Sequence, residues 1–195
     1  MVKRRKTSKT RSGRLRIVAG KWRSRLLDIA EVEGLRPTSE RIRETLFNWL
    51  VPGIQGARCL DLFAGTGALG LEALSRGARS AVFVEQSALA VATLKANIGE
   101  LDADGTVIRQ MDALEYLRVQ PEGPFDLVFL DPPFAADLND ELCKLLEERQ
   151  VLATDSLVYI EQDRSKPEPT LPSGWHVQKN KTAGNVRYML VRRQV

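Results

Sequence analysis

The sequence predicts an α/β protein built on one mostly parallel, seven-stranded β-sheet, with an antiparallel hairpin at its C-terminal end. Three observations carry this prediction. Strand-like and helix-like segments alternate from residue 58 to residue 149. The early strands are continuously apolar, as in Cys59-Leu60, Ala81-Val82-Phe83-Val84 and Leu127-Val128-Phe129-Leu130. That pattern belongs to parallel strands covered by helices on both faces. Finally, the turn Gly65-Thr66-Gly67 leads from the first of these strands into a helix, where glycine permits a tight change of direction.

The N-terminal segment differs in charge from everything after it. Residues 1–25 hold 11 of the 29 basic residues and none of the 25 acidic ones, so the net charge of +4 describes a basic arm on an acidic body. Such an arm suits phosphate binding, because each neutralised phosphate releases condensed counterions. Charge alone fits a solvated tail equally well. Trp22 between Lys21 and Arg23, with Arg25 close by, favours nucleic acid, since an aromatic ring can stack on a base. Residues 1–13 are polar and basic, and disorder is expected there. Residues 14–18 and 25–29 are short apolar-containing segments, predicted to pair as a small basic hairpin around Ala19-Gly20-Lys21-Trp22.

Gly34 to Pro37 breaks the chain. A helix is predicted to follow, with Thr38 as its cap and Glu40 in its first turn. Ile42, Leu46, Trp49 and Leu50 recur at helical spacing, so this helix buries one face. Val51-Pro52-Gly53 ends it. Strands are predicted at 58–63, 81–85, 106–110, 126–130, 156–161, 175–180 and 185–192. Helices are predicted at 68–76, 87–98, 112–118 and 138–149. The last two strands have no helix between them, which implies a hairpin. Lys166-Pro167-Glu168-Pro169 and Leu171-Pro172-Ser173-Gly174 form the loop before it.

Composition excludes several classes. No apolar run reaches the roughly 20 residues that span a bilayer. The charged N-terminus has no apolar stretch after it, so a secretory signal is not expected. Cys59 and Cys143 stand far apart in apolar surroundings and read as free buried thiols of a cytoplasmic protein. The single His176 has no Cys or His neighbours, so no metal site is expected.

The first candidate site is Asp61-Leu62-Phe63-Ala64-Gly65-Thr66-Gly67-Ala68-Leu69-Gly70. Gly65, Gly67 and Gly70 satisfy G-x-G-x-x-G, which is a weak signal and leaves a nicotinamide dinucleotide as a rival ligand. Glu85, ending the next strand, stands where either cofactor would offer ribose hydroxyls. Asp61 separates the two ligands. A carboxylate beside the glycines repels pyrophosphate but tolerates a methionine moiety with its ammonium. Asp112, after the third strand, can accept a hydrogen bond from an adenine amino group; capping the next helix is its other reading. No second domain remains to hold a dehydrogenase substrate. This segment resembles the nucleoside-binding half of class I S-adenosylmethionine-dependent methyltransferases. Phe63, Ala64, Leu69, Gln86 and Ala113 complete the candidate cofactor wall.

The second candidate site is Asp131-Pro132-Pro133-Phe134, directly after an apolar strand. The prolines remove two amide donors and stiffen the turn, leaving carbonyls free to accept. Open α/β sheets bind ligands at these carboxyl ends. An exocyclic amino group is a poor nucleophile because its lone pair is delocalised into the ring. Its two N–H bonds need acceptors that hold the nitrogen for attack, and the Asp131 carboxylate and Pro132 carbonyl are of the right kind. Hydrogen bonds to a charged group contribute about 1.5–3 kcal/mol each. Stacking of a base on Phe134 contributes about 1–3 kcal/mol. Positioning then dominates a one-step methyl transfer, and the base must leave its stack to reach the pocket.

These residues together resemble one family. Asp-Pro-Pro-Phe is shared by amino-group methyltransferases in general. The run Leu35-Arg36-Pro37-Thr38-Ser39-Glu40-Arg41-Ile42-Arg43-Glu44-Thr45-Leu46-Phe47-Asn48-Trp49-Leu50 is more particular. With Gly20-Lys21-Trp22-Arg23-Ser24-Arg25 before it and Asp61–Gly70 after it, it resembles the bacterial RsmD-type 16S rRNA guanine-N2 methyltransferases from about residue 14 to the C-terminus. The resemblance implies an RNA-binding hairpin at 14–34 and a methyltransferase domain at 35–195; the disordered basic tail expected at 1–13 lies outside it. It implies S-adenosylmethionine as cofactor and 16S rRNA, within the small ribosomal subunit or its assembly intermediate, as partner. It also implies Lys21, Trp22, Arg23, Arg25, Arg36, Thr38, Arg41 and Arg43 as RNA contacts. Pairing of Arg41 and Arg43 with Glu40 and Glu44 on the helix surface is the competing reading for those two. The family's basic-glycine-basic hairpin tip reads Arg23-Ser24-Arg25 here. Arg187 and Tyr188 read as sheet residues, and a monomer is expected. The short acceptor motif leaves adenine N6, cytosine N4 and a protein glutamine open as targets. A non-catalytic RNA-binding assembly factor is the alternative of another class.

Overall fold

A computed structural model describes residues 13–30, 32, 38–119 and 121–194. The basic tail (apart from Gly13) and Arg36 lie outside these residues. The elements in chain order are β1 (Arg14–Arg16), β2 (Leu26–Asp28), α1 (Glu40–Leu50), β3 (Arg58–Asp61), α2 (Ala68–Ser75), β4 (Ser80–Val84) and α3 (Ala88–Leu101). There follow β5 (Thr106–Arg109), α4 (Ala113–Val119), β6 (Phe125–Leu130), α5 (Asn139–Glu148), β7 (Leu152–Asp163), β8 (Trp175–Ala183) and β9 (Val186–Arg193).

The main sheet has seven strands in the order β5-β4-β3-β6-β7-β9-β8. Its first five strands are parallel. The C-terminal β8 and β9 form the expected antiparallel hairpin, with β9 beside β7. Chain order reverses between β3 and β6, so a crevice opens at their carboxyl ends. Both candidate motifs follow these two strands.

Two apolar cores fill the space on either side of the sheet. α1, α2 and α3 pack with Cys59, Phe83, Leu127, Phe129 and Tyr159 on one face. α4 and α5 pack with Leu60, Val82, Val128 and Ile160 on the other. The alternation of strand residues between the cores places Asp61, Asp131 and Glu161 on the α1 side.

Most predicted elements hold within a few residues, with two informative differences. β7 begins at Leu152, four residues before the predicted start, and its pairing with β6 shifts register between Phe125 and Leu127. A polar stretch, Thr154 to Ser156, hid the extension. The cap of α1 is Ser39, whose hydroxyl accepts from the Ile42 amide at 3.4 Å. Thr38 is instead buried, with its side chain turned inward. α1 buries Ile42, Leu46, Phe47 and Leu50. Its Trp49 is only half-buried and stacks on Tyr188 with ring centroids 5.4 Å apart.

The N-terminal hairpin is fastened to the body. Glu72 of α2 accepts from the Val18 and Ala19 amides at 2.8 and 3.1 Å. Ser75 holds Trp22 N and Ala19 O through its hydroxyl, and Lys21 N through its carbonyl. Gly20 passes so close that a Cβ there would stand 1.8 Å from Ser75 O. At the other end, the Asn97 side chain bonds Asp28 N and O and the carbonyl of Thr66. One asparagine therefore connects the hairpin to the glycine turn. Ser24, at the hairpin tip, adopts φ +70°, the left-handed conformation that glycine favours.

Candidate active site

The glycine turn is assembled around two carboxylates. Asp61 ends β3, is buried, and accepts from the Gly70 amide at 3.0 Å. Burial pushes its carboxyl up to about 7; the Gly70 bond opposes this, and the negative charges of Asp131 and Glu85 add to it. Glu85 closes the other side. Its Oε2 accepts from Gly65 N at 2.9 Å and its Oε1 from Ser87 N at 2.7 Å. Gly65 and Gly67 take φ of +52° and +90°, and Gly67 N bonds Ala64 O at 2.7 Å. Gly67 then caps α2, and the Gly70 amide in its first turn is the one Asp61 accepts from.

The remaining predicted cofactor residues divide. Ala64 is buried, with its amide on Val84 O at 3.0 Å. Phe63 is half-buried at the rim of the second core, and Gln86 is exposed. Leu69 and Ala113 are core residues as well as neighbours of the site. Asp112 is exposed, and its Oδ1 accepts from Glu115 N at 3.0 Å. It caps α4, leaving its other carboxylate oxygen toward solvent.

The acceptor motif stands one strand away. Asp131 is half-buried directly after β6. Thr38 Oγ1 donates to Asp131 Oδ2 at 2.8 Å, so the segment before α1 reaches over the motif. Pro133 O accepts from Ala136 N at 2.9 Å, whereas none of the described residues donates to Pro132 O. Pro132 is buried, Pro133 exposed and Phe134 half-buried. Lys166 Nζ fastens this loop, donating to Phe134 O at 2.6 Å and pairing with Asp137 at 3.0 Å. A small cleft beside the motif is lined by Pro132, Pro133, Phe134, Asn139, Glu161 and Lys166, among others.

Sequence reasoning missed Glu161 and Tyr159. Glu161 is buried at the end of β7, and its Oε2 accepts from the Tyr159 hydroxyl at 2.6 Å. The carboxyl is held well above the usual range by burial first and by the Asp131 charge second. The available signal was an acid closing an apolar parallel strand, the same signal that marked Asp61.

The predicted RNA contacts require three corrections. Trp22 is 7% exposed, packed into the first core with Lys21 Nζ 5.1 Å from its ring centroid, so it offers no face to a base. Arg43 is 1% exposed. It pairs with Glu72 and donates to the carbonyls of Arg16 and Thr38, so it is neither a phosphate contact nor a partner of Glu40 and Glu44 on the helix surface. Thr38 is committed to Asp131. Lys21, Arg23, Arg25 and Arg41 are exposed, and Arg25 also bonds Glu100 O at 2.7 Å. As the sequence suggested, Tyr188 is a buried sheet residue, and Arg187 is half-buried with Nη1 on Lys166 O. No helix of the described residues is long and apolar enough to cross a membrane.

Comparison with known proteins agrees with this arrangement. Residues 15–192 match the family described as Conserved hypothetical protein 95. The chain is 44% identical to ribosomal RNA small subunit methyltransferase D of Escherichia coli K12, over 94% of this chain and 92% of that protein. It is 43% identical to the protein of the same name from Haemophilus influenzae, over 91% and 93%. The solved structure of Escherichia coli yhhF superposes with a TM-score of 0.87 at 41% identity, covering 93% of this chain and 99% of that one. On the match across nearly its whole length, the chain belongs to this family, that of the RsmD-type ribosomal RNA small subunit methyltransferases.

Proposed function

We propose that this chain methylates the exocyclic N2 of a guanine in 16S rRNA, within the small ribosomal subunit or an assembly intermediate, with S-adenosylmethionine as donor. The observation that carries the reading is the placement of Asp61, Glu85 and Asp131 at the carboxyl ends of adjacent strands around the Gly65 turn. A crevice rimmed by carboxylates favours a cationic ligand and disfavours a pyrophosphate. The donor set therefore fits S-adenosylmethionine, with Asp61 toward the ammonium, Glu85 toward the ribose and Asp112 toward the adenine edge. When bound, that cofactor supplies an electrophilic methyl carbon on sulfonium. Asp131 and Pro132 O hold the two N–H bonds of the substrate amine, and Phe134 stacks on the flipped base. The exposed cations Lys21, Arg23, Arg25 and Arg41 supply phosphate contacts from the hairpin and from α1; Arg36, outside the described residues, is assigned the same role from its sequence. An rRNA substrate makes the cytoplasm the place of action.

The test is transfer of labelled methyl from S-adenosylmethionine to 30S particles, stripped 16S rRNA, DNA and protein, followed by mass-spectrometric mapping of the modified nucleotide. Label on one guanine N2, lost in Asp131→Ala, is expected. Label on adenine N6, cytosine N4 or glutamine alone would refute the acceptor. Full activity of Asp131→Ala would refute the site, and absence of transfer to any substrate would favour the assembly-factor alternative.

A further inference from the structure

The mechanism just given uses Asp131 and leaves a second buried carboxyl unexplained. Leu130 of β6 and Ile160 of β7 are the last paired residues of two parallel strands. One step further along this register come Asp131 and Glu161. Both project toward the α1 side of the sheet, where Thr38 meets Asp131. Two adjacent carboxylates in a poorly solvated place do not both carry charge.

Burial decides which one keeps the proton. Thr38 has one hydroxyl hydrogen, and it goes to Asp131 at 2.8 Å. The Tyr159 hydroxyl occupies Glu161 Oε2 at 2.6 Å. A proton on the other oxygen of Glu161 leaves a single charge on the pair, on Asp131, where Thr38 donates. Glu161 is 4% exposed and Asp131 only half-buried, so the proton stays with the more deeply buried carboxyl. The groups facing Glu161 are Asp131 from the β6 end, Tyr159 on its own strand, Tyr188 opposite it on β9, and Lys166 across the cleft. Lys166 is engaged by Phe134 O and Asp137, so none of the four supplies Glu161 with a dedicated cation.

We infer that Glu161 is a positioning residue: it carries the proton of the carboxyl pair and so leaves Asp131, held by Thr38, as the charged acceptor for the substrate amine. The inference rests on the amino-methylation reading above. Its consequence is a falling limb at alkaline pH, where Glu161 ionises and repels Asp131.

The experiment compares wild type, Glu161→Gln and Glu161→Ala by kcat and KM across pH, and by infrared difference spectra of the ligand-free protein at neutral pH. A glutamine amide is neutral and can accept from Tyr159, so Glu161→Gln should stay within a few-fold of wild type and lose the alkaline fall. Glu161→Ala should lower kcat on the order of a hundredfold, the scale of a small misplacement, with KM little changed. The spectrum of wild type minus Glu161→Gln should contain the carbonyl band of a protonated carboxylic acid. Absence of that band, an alkaline limb unchanged in Glu161→Gln, or equal losses in Gln and Ala variants that melt like wild type would each overturn the inference. If Glu161→Ala does not fold, the Gln variant decides alone. The infrared result does not depend on methyl transfer, so a wild type inactive on rRNA but showing the band would refute the functional reading and leave the proton assignment standing.

Discussion

Arg43 and Glu72 form an ion pair of 3.4 Å in which neither side chain exceeds 1% exposure. The pair sits at the junction of α1, α2 and the hairpin. Glu72 also takes Arg76 Nε at 2.7 Å and the amides of Val18 and Ala19, while Arg43 takes the carbonyls of Arg16 and Thr38. Removing one partner leaves a buried charge unpaired, which typically costs about 3–5 kcal/mol. Glu72→Ala should therefore lower unfolding free energy by about that much, and should expose residues 14–28 to proteolysis before the sheet. Urea titration and limited digestion check this. A loss under about 1 kcal/mol would mean that the site relaxes or admits water.

Gly70 illustrates a glycine whose role is packing. A Cβ on it would meet Phe83 Cε1 at 2.2 Å. Gly70→Ala must push α2 from β4, and overpacking of this kind costs about 1–3 kcal/mol. Because Gly70 N also bonds Asp61, cofactor affinity should fall along with the melting temperature. Thermal melting with and without S-adenosylhomocysteine measures both. Unchanged melting would show that the helix shifts freely.

The strand–helix alternation and both crevice motifs were legible because each is local. Apolar runs such as Leu127 to Leu130 and turn residues such as Gly65 declare themselves within a few positions. What stayed hidden depends on distant partners. Arg43 and Trp22 look like surface groups in sequence, and only the arrival of Glu72 and of the α2 face buries them. Thr38 and Ser39 are equally good caps by type; the choice was made by Asp131, 93 residues away. Glu161 became significant only through its parallel register with Asp131. Ser24 shows the converse, since its tip keeps the left-handed turn although the side chain is not glycine's.

Asp61 predicts a pH dependence whose sign is fixed. Its carboxyl stands at about 7 in the folded protein against an ordinary value of 3.8. The folded state thus binds this proton more tightly, and the stability the group confers is complete below 3.8 and lost as pH rises through about 7. A cation bound beside it reverses the preference and expels the proton. S-adenosylhomocysteine, which carries an ammonium, should bind more tightly as pH rises toward 7, by up to about tenfold per pH unit, and level off above it. Calorimetry at pH 6 and 8 in buffers of different ionisation enthalpy should detect about one proton released per ligand at the lower pH. Asp61→Asn should bind weakly and without that proton. Affinity independent of pH would remove Asp61 from the ammonium site.

The buried state of Trp22 separates two roles that the hairpin sequence mixes. Lys21, Arg23 and Arg25 are exposed on the turn, held in place by the Ser75 and Glu72 contacts beneath them. Replacing all three with glutamine should weaken RNA binding and reduce the slope of log affinity against log salt by about two to three, at roughly 0.7–0.9 per phosphate contact. The melting temperature should hardly change. Trp22→Ala should do the opposite: lose about 3–5 kcal/mol of stability, as large core truncations do, and leave the slope of the folded fraction intact. Filter-binding titrations at several salt concentrations, paired with urea unfolding, resolve the two. An unchanged slope in the triple variant would detach the hairpin from RNA, because three exposed cations at a phosphate surface cannot be removed without altering counterion release.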